Sequence, residues 1–320
     1  MNKKRIGIIG VGRVGSTLAY LLAVKNIYYQ ILLKDIQNNN IDEISLDLSQ
    51  TAKAANSKTI ITSTQHNELF SDCDLIVITA DIYNTLNQNK DNLLPADSET
   101  ITKMIINTTI DNPHAIIIIV SNSLEAMIYS ALKTSKWSRN KIIGMGGILD
   151  NSRMSHFIQE KLDFIAEEIS SVIIGGQGDN MVPLTNVSTV NGKVLNELFS
   201  QHEIQEIVHK TKTNSYRSIK QDHENSDYYS TAFSVLLMVE SILLDKKEVY
   251  PCSIMLEGEY GYYNVVAGVP VQLGKRGVEK VIQMNLSEEQ KYSFSKFIDS
   301  SRALIKLLNK KEKNEFKNRK

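Results

Sequence analysis

The sequence predicts an α/β protein, a doubly wound parallel sheet followed by a second, mixed α+β domain. Two observations carry this. Up to about Gly147, short apolar runs alternate with amphipathic stretches of helical spacing, and the runs are apolar throughout instead of alternating with polar residues. That is the pattern of strands buried on both faces by crossover helices. Past Gly147 the alternation gives way to short strands among long helices.

In chain order the predicted strands are RIGIIG, QILLK, TIITS, DLIVITA, HAIIIIVSN and KIIGMG. The helices between them are VGSTLAYLLAVKN, IDEISLDLSQTAKAA, SETITKMIINTTIDN and LEAMIYSALKTS, each with apolar residues recurring at three- and four-residue steps. In the second half LDNSRMSHFIQEKL reads as a helix. Short strands are predicted around SSVIIGG, STVNG, PCSIML and VPVQLG, and long helices at HEIQEIVHKTKTNSYRSIK, YYSTAFSVLLMVESILLDKK and SEEQKYSFSKFIDSSRALIKLL. The expected division is 1–147 for the first domain, 148–308 for the second and 309–320 for a basic, solvated C-terminal tail.

Bulk properties narrow the function. The 320 residues, 42% of them hydrophobic, suffice for two domains with their own cores. A formal net charge of zero argues against nucleic acid or an anionic membrane as the main partner. Cys73 and Cys252 lie far apart with no metal-binding spacing, so neither a disulfide scaffold nor a metal site is expected. No apolar run reaches the ~20 residues of a membrane span, and MNKKRIGIIG turns glycine-rich too soon for a signal peptide, so a soluble cytoplasmic protein is expected.

The first motif with chemistry is GVGRVG, a G-x-G-x-x-G built from Gly10, Gly12 and Gly15. By itself it is equally a tight strand–helix turn. Here it follows a buried strand and opens a helix, the setting in which helix N-terminal amides cradle a pyrophosphate. The second strand ends at Asp35, roughly 20 residues further on, where a carboxylate accepts from ribose hydroxyls and repels a 2′-phosphate. The expected cofactor is therefore NAD, not NADP.

With GVGRVG, the segments VSNSLEAMIY, GMGGILDNSRM, GGQGDNMVPL, DYYSTA, LEGEYG and GVPVQLGKRGVEK resemble the lactate/malate dehydrogenase family, and most closely its malate branch, over nearly the whole chain. The resemblance implies a Rossmann-type NAD-binding domain, a substrate domain, a homodimer or homotetramer, and a small 2-oxo or 2-hydroxy carboxylate as substrate. It also implies roles for single residues. Asp150 matches the acid that orients the proton donor, and Arg153 the guanidinium that grips the substrate carboxylate through two parallel hydrogen bonds. Asn122 matches a residue that hydrogen-bonds cofactor or substrate, and Asp227 a position beside the substrate.

Several positions depart from the family pattern. Gln177 stands where the family has its proton-donating histidine, and an amide hydrogen-bonds a carbonyl oxygen without being able to protonate it. Asn84 occupies the substrate-discriminating position, Lys90 replaces a loop arginine, Asp81 replaces a glycine beside the cofactor, and Ser123 replaces a proline. Among the six histidines, His223 is the one in a segment that would flank the substrate, and His156 lies one turn beyond Arg153. Two readings stand open: a dehydrogenase with altered chemistry at Gln177, Asp150 and Lys90, or a non-catalytic regulatory or scaffold relative that still binds ligand.

Overall fold

Residues 4–27, 30–35, 40–79, 112, 114–121, 124–135, 137–220 and 227–318 are described by the computed structural model, with backbone alone for 215–220 and 311–318. Strands β1 (Arg5–Ile9), β2 (Gln30–Lys34), β3 (Ile60–Ser63), β4 (Leu75–Ile78), β5 (Ile116–Ile119) and β6 (Ile142–Gly144) fall within the six apolar runs named above. They lie parallel in the order β3-β2-β1-β4-β5-β6. This is the doubly wound arrangement, and its chain reversal falls between β1 and β4. The crevice above the carboxyl ends of those two strands is where such sheets bind ligands.

The all-apolar strands are explained by burial on both faces. In β5, Ile116 and Ile118 join one core cluster while Ile117 and Ile119 join the cluster on the opposite face, all at most 4% exposed. Each such side chain contributes roughly 1.5–3 kcal/mol of transfer free energy. Helices α1 (Arg13–Lys25), α2 (Ile41–Ala54) and α3 (Leu124–Ser135) cover the sheet. Apart from Asn112, the helix predicted over SETITKMIINTTIDN lies outside the described residues.

Beyond β6 come α4 (Ile148–Lys161), β7 (Ile169–Ser170), β8 (Ile173–Gly175), β9 (Met181–Pro183), β10 (Thr189–Val190), β11 (Lys193–Val194), α5 (Leu195–Leu198), α6 (Gln201–Lys220), α7 (Tyr228–Leu243), β12 (Val249–Glu257), β13 (Tyr263–Gly274), β14 (Gly277–Val281) and α8 (Glu288–Asn318). Strand β12 pairs antiparallel with β6 at Ser253 and Gly144, so the parallel sheet continues into the second half through β12, β13, β8 and β9. A separate small sheet joins β11, β10 and β7. A third core cluster lies between α4 and α6, built from Met154, Ile158, Ile173, Phe199 and Ile207 among others.

Two expectations are corrected. Strands β12 and β13 are longer than the fragments PCSIML and VPVQLG: Pro251 and Pro270 sit opposite each other in register, and the pairing runs on past them from Val249 opposite Gln272 to Leu256 opposite Val265. Within the C-terminal segment expected as a tail, the described residues 309–318 continue α8 helically to Asn318. At its near end Asn309 is anchored to α3, with the Lys133 ammonium donating to Asn309 Oδ1 at 2.7 Å and the Asn309 amide donating to the Tyr129 hydroxyl at 2.9 Å. The low apolar content of the segment conceals a helix already committed by the packing of Phe294, Phe297, Ile298 and Ile305 upstream.

Candidate active site

The glycine loop connects β1 to α1. Gly10 takes φ 96°, a left-handed conformation that glycine tolerates freely. Its N–H donates to Lys34 O at 2.8 Å, and its carbonyl accepts the Thr79 hydroxyl at 2.6 Å, tying the loop to β2 and to the end of β4. A Cβ built on Gly15 would lie 1.9 Å from Gly10 O, so the first turn of α1 presses directly on the loop. A Cβ on Gly12 would meet nothing within 4 Å. The second glycine thus faces open space, while the third is enforced by packing.

Gly12 is the N-cap of α1, and no side chain caps the helix there. A helix N-terminus at this loop is the setting in which backbone amides receive an anion such as a pyrophosphate. Asp35 lies at the end of β2, and its Oδ2 accepts the Val11 N–H at 2.7 Å. The residues present fit a dinucleotide: an open approach at Gly12, a helix N-terminus without a side-chain cap, and an acid beside the loop.

The second cluster forms on α4. Gly147 begins this helix, and a Cβ there would stand 2.7 Å from Ile173 O, so only glycine lets α4 start this close to β8. Asp150 sits in the first turn of α4, where the helix dipole favours a negative charge, and is 1% exposed. One turn along, Arg153 Nη1 donates to Asp150 Oδ1 at 2.7 Å, and Arg153 Nη2 donates to Asp227 Oδ2 at 2.9 Å. Arg153 is 10% exposed at its side chain and Asp227 is 40% exposed. Arg153 Nε is buried with no hydrogen-bond partner among the described residues.

Gln177 lies at the turn that follows β8, the strand against which α4 begins. It is half-buried in an extended conformation, and its carbonyl accepts the Asn180 N–H at 3.2 Å. The two halves of the site meet at α7: the Arg13 guanidinium lies 5.7 Å from the centroid of the Tyr228 ring, next to Asp227. Tyr228 stacks on Tyr229 with ring centroids 4.1 Å apart, and the hydrogen bond between them together with burial raises the Tyr228 hydroxyl pKa against a smaller opposing pull from Arg13.

Of the residues singled out in the sequence, Gly10, Gly12, Gly15 and Asp35 converge on the loop, and Asp150, Arg153 and Asp227 converge on one ion-paired cluster. Asn84, Lys90, Asn122, Asp81, Ser123 and His223 lie outside the described residues. His156 faces solvent, 67% exposed, paired with Glu160 at 3.3 Å. Thr79 and Arg13 were not singled out. Arg13 is a variable position of GVGRVG and Thr79 follows β4, and each acts through a partner distant in the chain.

Residues 4–144 match the family model described as the NAD-binding domain of lactate/malate dehydrogenase, and residues 148–315 match its α/β C-terminal domain. A malate dehydrogenase of Aliarcobacter butzleri is 49% identical over 308 residues, which is 96% of this chain and 98% of that protein. One of Sulfurimonas denitrificans is 43% identical over 96% of each chain. Among solved structures, the malate dehydrogenase of Cryptosporidium parvum matches with a TM-score of 0.90 at 31% identity, covering 96% of this chain and 99% of that one. A lactate dehydrogenase from Eimeria maxima with NADH and oxamate matches with a TM-score of 0.88 at 29% identity, covering 98% of each.

Proposed function

The chain belongs to the lactate/malate dehydrogenase family, and from that premise we propose that it is an NAD-dependent oxidoreductase of a small 2-hydroxy/2-oxo carboxylate with altered proton transfer. The observation that carries this reading is the joint presence of a cofactor loop left open at Gly12 and a buried guanidinium, Arg153, fixed at the start of α4.

In this reading Gly10, Gly12, Gly15, Asp35 and Asn122 hold NAD, which when bound exchanges a hydride with the substrate's carbonyl carbon. Arg153 takes the substrate carboxylate, flanked by Asn84, Asn122 and Asp227. Gln177 and Lys90 donate hydrogen bonds to the carbonyl oxygen, and Asp150 holds Arg153 in orientation. Gln177 has no proton to give, so the alkoxide oxygen takes its proton from water or a nearby acid. Asn84, Lys90 and Asn122 receive their roles from motif position alone. The division at about residue 147 separates cofactor from substrate binding.

A second copy of the chain is proposed to cover the face formed by α1, α4 and α7. That face holds an apolar cavity of about 500 Å³ lined by Thr17, Tyr20, Leu21, Ile148, Tyr229 and Phe233 among others. No helix among the described residues is long and apolar enough to cross a membrane.

The test is calorimetric titration with NADH followed by assays of NADH oxidation with pyruvate, oxaloacetate and longer 2-oxo acids. One-per-subunit binding with slow turnover supports the reading. Binding without turnover of any 2-oxo acid favours a second one, a ligand-binding regulatory or scaffold subunit. The observations behind that alternative are Gln177 in the donor's place and an Arg153 whose two terminal nitrogens already hold carboxylates.

A further inference from the structure

Asp227 begins α7 and is of the type most favoured for capping a helix N-terminus. It makes no side-chain cap. The hydroxyl of Thr231 turns back to its carbonyl at 2.7 Å, and the carboxylate points instead across the cluster to Arg153 Nη2 at 2.9 Å. With Asp150 on Nη1, one positive charge is shared by two negative ones. The guanidinium has thus already bound a carboxylate of the kind a substrate would bring.

We propose that Asp227 is a specificity-determining residue that competes with the substrate carboxylate for Arg153, so that a 2-oxo acid binds only by displacing it. The proposal rests on the dehydrogenase reading above. Its physical basis is twofold. A carboxylate held on the same chain competes at an effective concentration at or above the order of millimolar, so a dilute substrate loses unless it adds contacts of its own. An incoming carboxylate also meets a cluster whose charges sum to −1, from Asp150, Asp227 and Arg153, and like-charge juxtaposition at a site shielded from solvent is costly. Asp227 is the movable member. Its side chain is 40% exposed, whereas Asp150 is fixed in a buried helical turn with 1% exposure. Release of Asp227 toward water keeps Nη1 on Asp150 and frees Nη2 beside Nε, which has no hydrogen-bond partner among the described residues, so the two adjacent donors that a two-pronged grip needs become available.

The test uses oxamate, a stable monocarboxylate, titrated into the full chain saturated with NADH, for the unaltered protein, Asp227→Asn and Asp227→Ala. Asp227→Asn is the decisive variant because it preserves shape and removes only the charge. The expected result is oxamate binding at least about tenfold tighter in both variants, as removal of a like charge and of a tethered competitor implies, with NADH affinity unchanged. Unchanged or weaker oxamate binding in Asp227→Asn, with NADH still bound, overturns the proposal and makes Asp227 a support for Arg153 instead of its competitor. Failure of the unaltered chain to bind NADH at all overturns the dehydrogenase reading, and the competition with it. The two failures are told apart by the NADH titration that precedes the oxamate one.

Discussion

Asp35 accepts the Val11 amide N–H at 2.7 Å, so the acid at the end of β2 closes on the glycine loop of β1 and braces it. The carboxylate holds the loop in shape, and in the proposed reading it also meets the ribose. The duties separate by substitution. Asp35→Asn still offers an oxygen to Val11 but no charge, and it should relax the discrimination against NADPH while the fold persists. Asp35→Ala removes the acceptor as well and should cost about 1.5–3 kcal/mol of stability, the range for a hydrogen bond to a charged group. Parallel titrations with NADH and NADPH, alongside denaturant unfolding, check both. Undiminished preference for NADH in Asp35→Asn would remove the ribose role.

The glycines of the loop divide in the same way. A methyl on Gly15 would collide with Gly10 O, which belongs to the backbone and cannot step aside cheaply. Gly15→Ala should therefore lose stability by about 1–3 kcal/mol or more through overpacking. A methyl on Gly12 meets no protein atom, and its φ of −70° suits any residue. Gly12→Ala should lose at most about 1 kcal/mol, the difference between Gly and Ala at an N-cap, yet bind NADH far more weakly. Unfolding curves and NADH titration of the two variants should rank them in opposite orders.

Much of this was legible in the sequence because it is encoded locally. Ile-rich runs such as IIII at 116–119 announce strands buried on both faces, and GVGRVG between strand and helix announces the loop. What was hidden depends on pairing between distant segments. Asp227 read as a residue near the substrate, but its ion pair spans 74 residues to Arg153. Thr79 reaches Gly10 across 69 residues, from a strand end whose sequence carries no sign of it. The helix from 309 to 318 escaped notice because charged, apolar-poor sequence does not show that an upstream packed segment will propagate it. The extended sheet was missed likewise, since β6 and β12 meet at a single residue pair, Gly144 and Ser253.

Gln177→His restores an imidazole to the turn after β8, next to the strand against which Asp150's helix begins. If proton transfer is the missing step, 2-oxo acid reduction should rise by on the order of 10²–10⁴, the usual contribution of a positioned general acid. The rate should fall at high pH as the imidazole loses its proton, a dependence absent from the unaltered chain in that range. Steady-state rates of NADH oxidation across pH 5–9 check this. A variant as slow as its parent would show that proton transfer at this turn is not the step that limits the chemistry.

The face presented by α1 and α7 carries Tyr20, Tyr229 and Phe233 at 47%, 69% and 49% exposure. Large exposed apolar residues grouped around a cavity are uncommon on a monomer and usual where another subunit packs. Phe233→Asp places a charge at the centre of that face and should weaken self-association by at least about tenfold, since an unpaired charge buried in an interface costs several kcal/mol. Sedimentation across a concentration series reads the effect. An unaltered chain that sediments as a monomer at every concentration removes the premise.

Arg139 joins the start of β6 to the β12–β13 turn. Its Nη1 and Nη2 donate to Glu259 Oε2 and Oε1 at 3.0 and 2.7 Å, and Nη1 also donates to Met255 O at 2.9 Å. Burial opposes charge on Glu259, but the hydrogen bond from Arg139, backbone N–H donors including that of Glu257, and the positive charge of Arg139 outweigh it, holding the carboxyl pKa down at about 2 instead of 4.5. A folded-state pKa below the unfolded one means that the stabilisation is fully present above pH 4.5 and is lost as pH falls from there toward 2. At 14% exposure little is discounted for solvent screening, so the contribution is at most about 3 kcal/mol. Glu259→Gln lacks the titrating group. It should be less stable than its parent at neutral pH, and the gap should narrow progressively between pH 4.5 and 2. Denaturant midpoints of both proteins over that interval test the sign directly, because a gap that stays constant with pH would mean the Glu259 charge contributes nothing and the bidentate pair acts only through its shape.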